Sequence, residues 1–160
     1  TKETFGTAPL RDVCKFRVEA ILETEKKYDI SKEEIWDKFH QSIQDLKEEV
    51  VGFITSEKAK GKTIAGYGAS TKGNTLLQVF GLDKTLISYI AERSPYKYGL
   101  KTVGTEIPII SENEMRELKP DYLLVLPWHF INEFVERERE FLENGGKFIV
   151  PCPKFQIFSL

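Results

Sequence analysis

The sequence predicts an α/β domain, Rossmann-like and three-layered with a mostly parallel sheet, preceded by an N-terminal helical arm. Residues 1–60 show helical spacing of apolar side chains, which indicates an arm of two helices. From residue 61 to residue 160, short apolar runs alternate with helical stretches, a pattern typical of βαβ units. A glycine-rich segment follows the first of these runs, where such folds place a ligand-binding loop.

The arm is predicted from two amphipathic segments. Apolar residues recur every three to four positions over 10–28, which favours a helix. A second helix is expected to be capped by Ser31, with Glu34 at the capping-box spacing. Its apolar stripe runs from Ile35 to Ile54, and Gly61 ends the helix. A stripe of this length has to pack against the sheet domain, the first helix, or a domain outside this sequence.

The sheet domain is predicted from five apolar runs and the helical segments between them. Ile131–Glu143 carries acidic and basic residues that we interpret as a solvated, ion-paired face, namely Glu133, Glu136, Arg137, Glu138, Arg139 and Glu140. The other predicted helices are Thr75–Phe80 and Glu112–Leu118. The predicted strands are Thr63–Tyr67, Leu86–Ala91, Thr105–Ile110, Tyr122–Leu126 and Phe148–Val150.

Composition argues against several classes of function. The 160 residues include 23 basic and 25 acidic side chains, so no net positive field would attract nucleic acid. The sequence has no apolar run of membrane-spanning length and no signal-peptide pattern, which predicts a cytoplasmic protein without a membrane partner. The two cysteines, Cys14 and Cys152, are too few for a disulfide framework or a cysteine metal site, and we expect both to be buried.

The segment 66–74 is the first candidate for ligand binding. Gly66, Gly68 and Gly73 allow sharp turns or close approach, and Ser70, Thr71, Asn74 and the loop amides supply hydrogen bonds. Lys72 adds a positive charge that suits phosphate. The segment matches neither the dinucleotide fingerprint nor the NTPase phosphate loop, because Thr71 stands in place of a glycine and Lys72 precedes Gly73. A tight turn with a solvated lysine is the alternative interpretation.

Two further loops are expected at the same edge of the sheet. After the second strand, Arg93, Tyr96 and Lys97 could contact phosphate or stack on a base, and Glu92 stands where related folds bind a ribose. After the fourth strand come Trp128 and His129. His129 is a weak candidate for a general base, since a lone histidine beside a tryptophan more often has a packing role. No catalytic or metal-binding constellation is predicted.

Several motifs in order resemble one family module. They are Gly66–Leu77, Arg93–Gly99, Gly104–Ile109, Lys119–Tyr122, Leu126–Trp128 and Gly145–Pro151. Together they resemble the C-terminal domain of the S-adenosylmethionine-dependent sugar C-methyltransferases, which methylate nucleotide-linked deoxyhexoses. The sequence departs from the family where Ala69-Ser70-Thr71 replaces a usual Ala-Pro-Ala, and where His129 replaces a usual asparagine.

The resemblance implies a parent protein with a zinc-binding region, a central methyltransferase domain that binds S-adenosyl-L-methionine, and this Rossmann-like domain. It implies that a nucleotide-diphosphate sugar lies between the last two domains and faces Ser70, Lys72, Gly73, Asn74, Tyr96 and Lys97. We therefore expect this chain to bind no cofactor and to transfer no methyl group by itself. A dinucleotide- or coenzyme A-binding domain of another enzyme and a docking or dimerisation domain are the alternatives.

Overall fold

A computed structural model describes residues 10–160, with side chains from residue 14 onward. The N-terminal helices are α1 (Leu10–Tyr28) and α2 (Glu33–Ala59). The sheet domain follows in the order β1 (Ile64–Tyr67), α3 (Thr71–Phe80), β2 (Ile90–Glu92), β3 (Ile109–Ser111), α4 (Glu112–Leu118), β4 (Tyr122–Val125), α5 (Ile131–Arg137), α6 (Arg139–Glu143), β5 (Lys147–Val150) and β6 (Gln156–Phe158). The predicted α/β class and the N-terminal helices are confirmed.

The six strands form one sheet in the order β3-β2-β1-β4-β5-β6. Strands β1 to β5 pair in parallel, and β6 pairs antiparallel with β5. The first five strands follow the order of the dinucleotide-binding folds, in which the direction of winding reverses beside β1. The loops after β1 and β4 flank that reversal, and ligands of such sheets usually bind there.

Helices cover both faces of the sheet. On one face, Ala65 and Tyr67 of β1 pack in a cluster with Met115 of α4, Phe134 of α5 and Leu142 of α6. Side chains alternate between faces along a strand, so the neighbouring positions of β1 point to the other side. There α2 contributes Phe53, whose ring lies 5.4 Å from that of Tyr122, and the Glu57 carboxylate, which accepts a 2.8 Å hydrogen bond from the Tyr122 hydroxyl.

The chain divides into two units, one ending at Ile43 and one running from Gln44 to Leu160. Helix α2 crosses this boundary, and the predicted domain boundary at residue 60 stays a prediction. In the second unit Val50 and Ile54 are fully buried, as the apolar stripe predicts. In the first unit Phe39 is 59% exposed, whereas Ile35 and Ile43 are partly buried, so the amino-terminal half of the stripe is only partly covered.

Several sequence predictions need correction. Cys14 is exposed and Cys152 is only half-buried. Helix α2 begins at Glu33, and the Ser31 hydroxyl donates to the Asp29 carboxylate instead of capping the helix. The second strand is shorter than predicted, since the Asp83 carbonyl accepts from two following amides and turns residues 83–87. The third strand begins only at Ile109, after a turn in which the Glu106 amide donates to the Thr102 carbonyl. Strand β6 was not predicted because its three residues carry no clear alternation.

The predicted helix 131–143 is broken at Glu138, whose side chain is not part of a solvated face. Glu138 is 2% exposed, and its carboxylate binds the Arg116 guanidinium and accepts a 2.7 Å hydrogen bond from the Tyr67 hydroxyl. Glu112 joins this cluster at 2.9 Å from the same hydroxyl, and Arg137 pairs with it. The break at Glu138 therefore lets the chain turn a carboxylate inward, where two arginines balance two acids.

Candidate functional site

The loop after β1 is shaped by its own hydrogen bonds. Gly68 has φ of +80°, a conformation that side chains other than glycine's rarely adopt. The Ser70 amide donates to the Gly68 carbonyl at 2.8 Å, and Ser70 then caps α3. Its hydroxyl accepts from the Gly73 amide at 3.0 Å, while its carbonyl accepts from the Asn74 amide. The amides of Thr71 and Lys72 are left at the amino end of α3 without a partner among the described residues.

The glycines of this segment also permit close contact between elements of the protein. A Cβ atom on Gly66 would lie 2.7 Å from Cγ1 of Ile90. On Gly68 it would lie 2.6 Å from Cγ of Pro127, and on Gly73 it would lie 2.5 Å from Cβ of Leu126. These distances are well below van der Waals contact. The glycines thus bring β1 and α3 tightly against neighbouring elements, which fixes the position of the loop.

A second loop supports the first one. The Glu92 carboxylate accepts a 2.8 Å hydrogen bond from the Ala69 amide and a 2.9 Å hydrogen bond from the Ser94 amide. The Lys97 ammonium donates to the Ala69 carbonyl at 2.8 Å and lies 3.3 Å from Glu92. Both oxygens of Glu92 are therefore occupied by the protein. Glu92 and Lys97 hold the loop after β1 in place.

The segment 69–74 opens onto a cavity of about 240 Å³. Its wall is apolar where Leu77, Ile90, Ile109 and Leu126 line it. Its polar lining comes from Ser70, Thr71, Asn74, Lys97, Lys101 and Thr102, with Ala69 and Val103 beside them. The amide oxygen of Asn74 is buried and has no hydrogen-bond partner among the residues that the structure describes. The cavity thus combines an apolar wall, an uncommitted amide and cationic groups at one end of a helix.

Two lysines near the cavity have side chains without a close polar partner in the described part of the chain, although the charge of Lys101 also acts on Glu106. Lys72 and Lys101 are exposed, and neither forms an ion pair or side-chain hydrogen bond with the residues that the structure describes. Lys101 lines the cavity, whereas Lys72 lies on the first turn of α3 outside the lining. Together with the two open amides of α3 they form a local surface suited to an anion.

The sequence did not single out Lys101, Thr102 and Val103 as site residues. They lie on a turn between β2 and β3, where the Thr102 amide donates to the Ile107 carbonyl and Lys101 pairs with Pro108. The Gln78 amide group of α3 donates to the Val103 carbonyl at 3.2 Å and holds this turn beside the cavity. In the sequence, Gly99 and Gly104 indicated a turn around these residues, and both have positive φ in the structure.

Other predicted residues do not line the cavity. Arg93 is exposed, and Tyr96 is 91% exposed on a 3₁₀ turn. Trp128 packs against the hydrophobic cluster on the opposite face of the sheet. His129 is exposed, and its ring lies 4.2 Å from that of Phe130. The structure therefore brings together Ser70, Thr71, Asn74 and Lys97, while their binding roles stay predictions.

The described residues contain neither a metal-binding cluster nor a helix that could span a membrane. No group of three or more histidine, cysteine or acidic side chains in residues 10–160 is placed to hold a metal ion. In the same range, no helix combines the length and the apolar character needed to cross a bilayer.

Comparison with known proteins identifies the family. Residues 8–153 match the family model described as the C-methyltransferase C-terminal domain. The chain is 36% identical over 142 residues to the C-methyltransferase NovU of Streptomyces niveus, an alignment that covers 89% of this chain and 34% of that protein. The chain thus spans about a third of the length of this curated relative. It belongs to the family of C-methyltransferase C-terminal domains.

Proposed function

We propose that this chain is the domain that holds the nucleotide-sugar in an S-adenosylmethionine-dependent C-methyltransferase acting on a nucleotide-linked keto-deoxysugar. The observation that carries this proposal is the cavity beside the amino end of α3, with Lys101 on its wall, a lysine whose ammonium has no hydrogen bond to the described residues. Family membership supports a role in C-methylation, and the local chemistry of the cavity supports a role in binding an anionic substrate.

The diphosphate is the part of the substrate that these groups fit best. The amides of Thr71 and Lys72 lie at the positive end of a ten-residue helix, and phosphate oxygens can accept from them. The ammonium groups of Lys72 and Lys101 add charge from two different segments. Lys97 contributes a third ammonium to the lining, although the Ala69 carbonyl and Glu92 already engage it. We assign this cation-rich end of the cavity to the diphosphate.

Holding the substrate is a contribution to catalysis in its own right. C-methylation beside a keto group requires removal of a proton and attack of the resulting enolate carbon on an electrophilic methyl group. When bound to the methyltransferase domain, S-adenosyl-L-methionine supplies that methyl group as a sulfonium. Both steps need a fixed orientation of the sugar, and orientation accounts for several kcal/mol of such barriers. Our proposal gives this chain the orienting role and places the base and the methyl donor elsewhere in the parent protein.

Calorimetric titration of the chain with nucleoside diphosphates tests the proposal. We expect binding by the unmodified chain and an approximately tenfold rise in Kd for Lys101→Ala, because one charge-assisted contact is lost. Lys147→Ala is the matched control, since Lys147 is an exposed lysine at the amino end of β5. Titrations with NAD, NADP and coenzyme A address the alternative enzyme classes. Equal Kd values for the Lys101 and Lys147 variants would contradict the assigned diphosphate position.

The same reasoning extends to the parent enzyme. Lys72→Ala should mainly raise KM for the nucleotide-sugar, because Lys72 is assigned to the diphosphate and not to the reacting carbon. Steady-state kinetics with saturating S-adenosyl-L-methionine would measure this effect. Unchanged KM and kcat would remove Lys72 from the proposed site.

A further inference from the structure

Ala69 lies between β1 and α3, and two side chains hold its backbone. Its amide donates to the Glu92 carboxylate at 2.8 Å, and its carbonyl accepts from the Lys97 ammonium at 2.8 Å. Neither of these groups of Ala69 has a backbone partner in the described part of the chain. The Lys97 ammonium also lies 3.3 Å from the carboxylate oxygen that accepts from Ala69. The three residues therefore form a closed ring of contacts.

Glu92 also ties this ring to the loop after β2. Its second carboxylate oxygen accepts from the Ser94 amide at 2.9 Å, and its side chain is only 12% exposed. In dinucleotide-binding folds, an acid near the end of the second strand accepts from a ribose hydroxyl of the ligand. Here both oxygens of Glu92 accept from backbone amides. The carboxylate thus connects two loops of the protein at the place where related folds contact the ligand.

The charges of Glu92 and Lys97 offset each other. Because the ammonium is 3.3 Å from the carboxylate, the pair attracts an anion less than a lone lysine would. Lys101 lines the same cavity and forms no ion pair with the described residues. Lys101 therefore supplies attraction for an anion, whereas the contacts of Lys97 suit it to orienting the Ala69 carbonyl.

The orientation of Ala69 affects the geometry of the cavity. Ala69 and Ser70 line the cavity, and Ser70 caps α3 directly before the open amides of that helix. Gly68, with φ of +80°, gives the chain before Ala69 more conformational freedom than another residue would. Hydrogen bonds to charged side chains are stronger than those between neutral groups, so the ring restricts this freedom. Without the ring, the entry of the chain into α3 would be less well fixed.

We propose that Glu92 and Lys97 are positioning residues for substrate binding. They fix the backbone of Ala69 and, through it, the entry into α3, and they do not contact the substrate themselves. This inference rests on the proposed function, and it reassigns Lys97, which the family resemblance places facing the nucleotide-sugar.

Glu92→Gln tests the inference because positioning and charge predict opposite results. If Glu92 acted through its charge alone, loss of that charge beside the cavity should lower Kd for an anion. If Glu92 positions the loop, Kd should rise by about tenfold, the effect of one lost charge-assisted hydrogen bond. The probes are uridine diphosphate and inorganic pyrophosphate, titrated into the 160-residue chain by calorimetry. Glu143→Gln is the matched control, since it removes the same charge from an exposed site on α6.

Lys97→Met and the double variant distinguish positioning from direct contact. Methionine keeps the aliphatic stem, and the Lys97 side chain is 42% exposed, so this variant should fold even if Glu92→Gln does not. If both residues act through the same ring, the double variant should bind about as weakly as the weaker-binding single variant. If Lys97 bound phosphate directly, Lys97→Met should raise Kd at least as much in the Glu92→Gln background as in the unmodified chain.

Hydrogen exchange of the Ala69 amide reports on the ring without ligand. Exchange should become faster in both single variants and stay unchanged in Glu143→Gln, while the Leu124 amide of the core strand β4 monitors global opening. The inference is overturned if neither single variant raises Kd, if Lys97→Met raises Kd without changing the exchange of Ala69, or if the two effects on Kd multiply in the double variant. Failure of the unmodified chain to bind either probe would instead overturn the proposed function itself, and the inference with it.

Discussion

Gly73→Ala is expected to destabilise the protein although alanine is the better helix former. Gly73 lies in the first turn of α3, and an added Cβ would be 2.5 Å from Cβ of Leu126. A normal contact between carbon atoms is about 3.5–4.0 Å, so α3 or the segment after β4 would have to shift by at least about 1 Å. Overpacking of this kind costs about 1–3 kcal/mol, and we expect the upper end because both atoms are attached directly to the backbone.

Gly52→Ala is the matched control within the same unit. Gly52 is also inside a helix, but no atom lies within 4 Å of the position that its Cβ would take. Alanine there should raise the free energy of unfolding by about 1 kcal/mol through helix propensity alone. The same gain in helix propensity applies at Gly73. The difference in the free energy of unfolding between the two variants therefore isolates the steric cost, which we put at about 3 kcal/mol.

Urea unfolding followed by far-UV circular dichroism would measure both variants. The midpoint of Gly73→Ala should fall and that of Gly52→Ala should rise, with unchanged m-values. A Gly73→Ala variant as stable as Gly52→Ala would refute the claim that close packing of α3 on the segment after β4 requires glycine.

Two further predictions concern polar groups outside the cavity. Tyr67→Phe should lower the free energy of unfolding by about 1–3 kcal/mol, since it removes the hydroxyl that binds the buried Glu138. Tyr89→Phe should be neutral or slightly stabilising, because the buried Tyr89 hydroxyl has no partner among the described residues. Equal stability of the two variants in urea unfolding would contradict the importance of the polar cluster. The hydrogen bond from Lys62 holds the pKa of Asp121 below the usual value of an aspartate. This carboxylate therefore stabilises the fold at pH values above its unfolded-state pKa, and the stabilisation is lost as pH falls through the lowered pKa. Asp121→Asn should therefore lose less stability than the unmodified chain as the pH falls through the lowered pKa of Asp121, and identical acid-unfolding curves would contradict the assignment.

The fold could be predicted largely from local pattern, because each parallel strand is a short apolar run bounded by turn residues. Helix α4 has the bounds that its spacing predicts, and its capping box joins Ser111 and Glu114. The break at Glu138 could not be predicted in this way. Its acidic and basic neighbours look like a solvated face until the tertiary structure places Arg116 and Tyr67 against the same carboxylate.

The site was predicted in part for a similar reason. Ser70 and Asn74 belong to one continuous segment, so a glycine-rich loop before a helix was enough to find them. Lys101 comes from a different turn, and only the pairing of β2 with β3 and the bond from Gln78 bring it to the cavity. A sequence motif identifies the residues of one loop, whereas a cavity is assembled from several loops by the sheet.

The glycines of this loop connect stability with binding. The sequence suggested that they admit a ligand close to the backbone, but the three absent Cβ atoms would collide with Ile90, Pro127 and Leu126. Glycine is therefore required here even without a ligand. The tight contact of α3 with the segment after β4 sets where the open amides and Asn74 lie, so substitutions that loosen it should weaken nucleotide binding without touching the ligand. A Gly73→Ala variant that folds but binds nucleoside diphosphates with unchanged Kd would separate the two properties and would count against a site built on this packing.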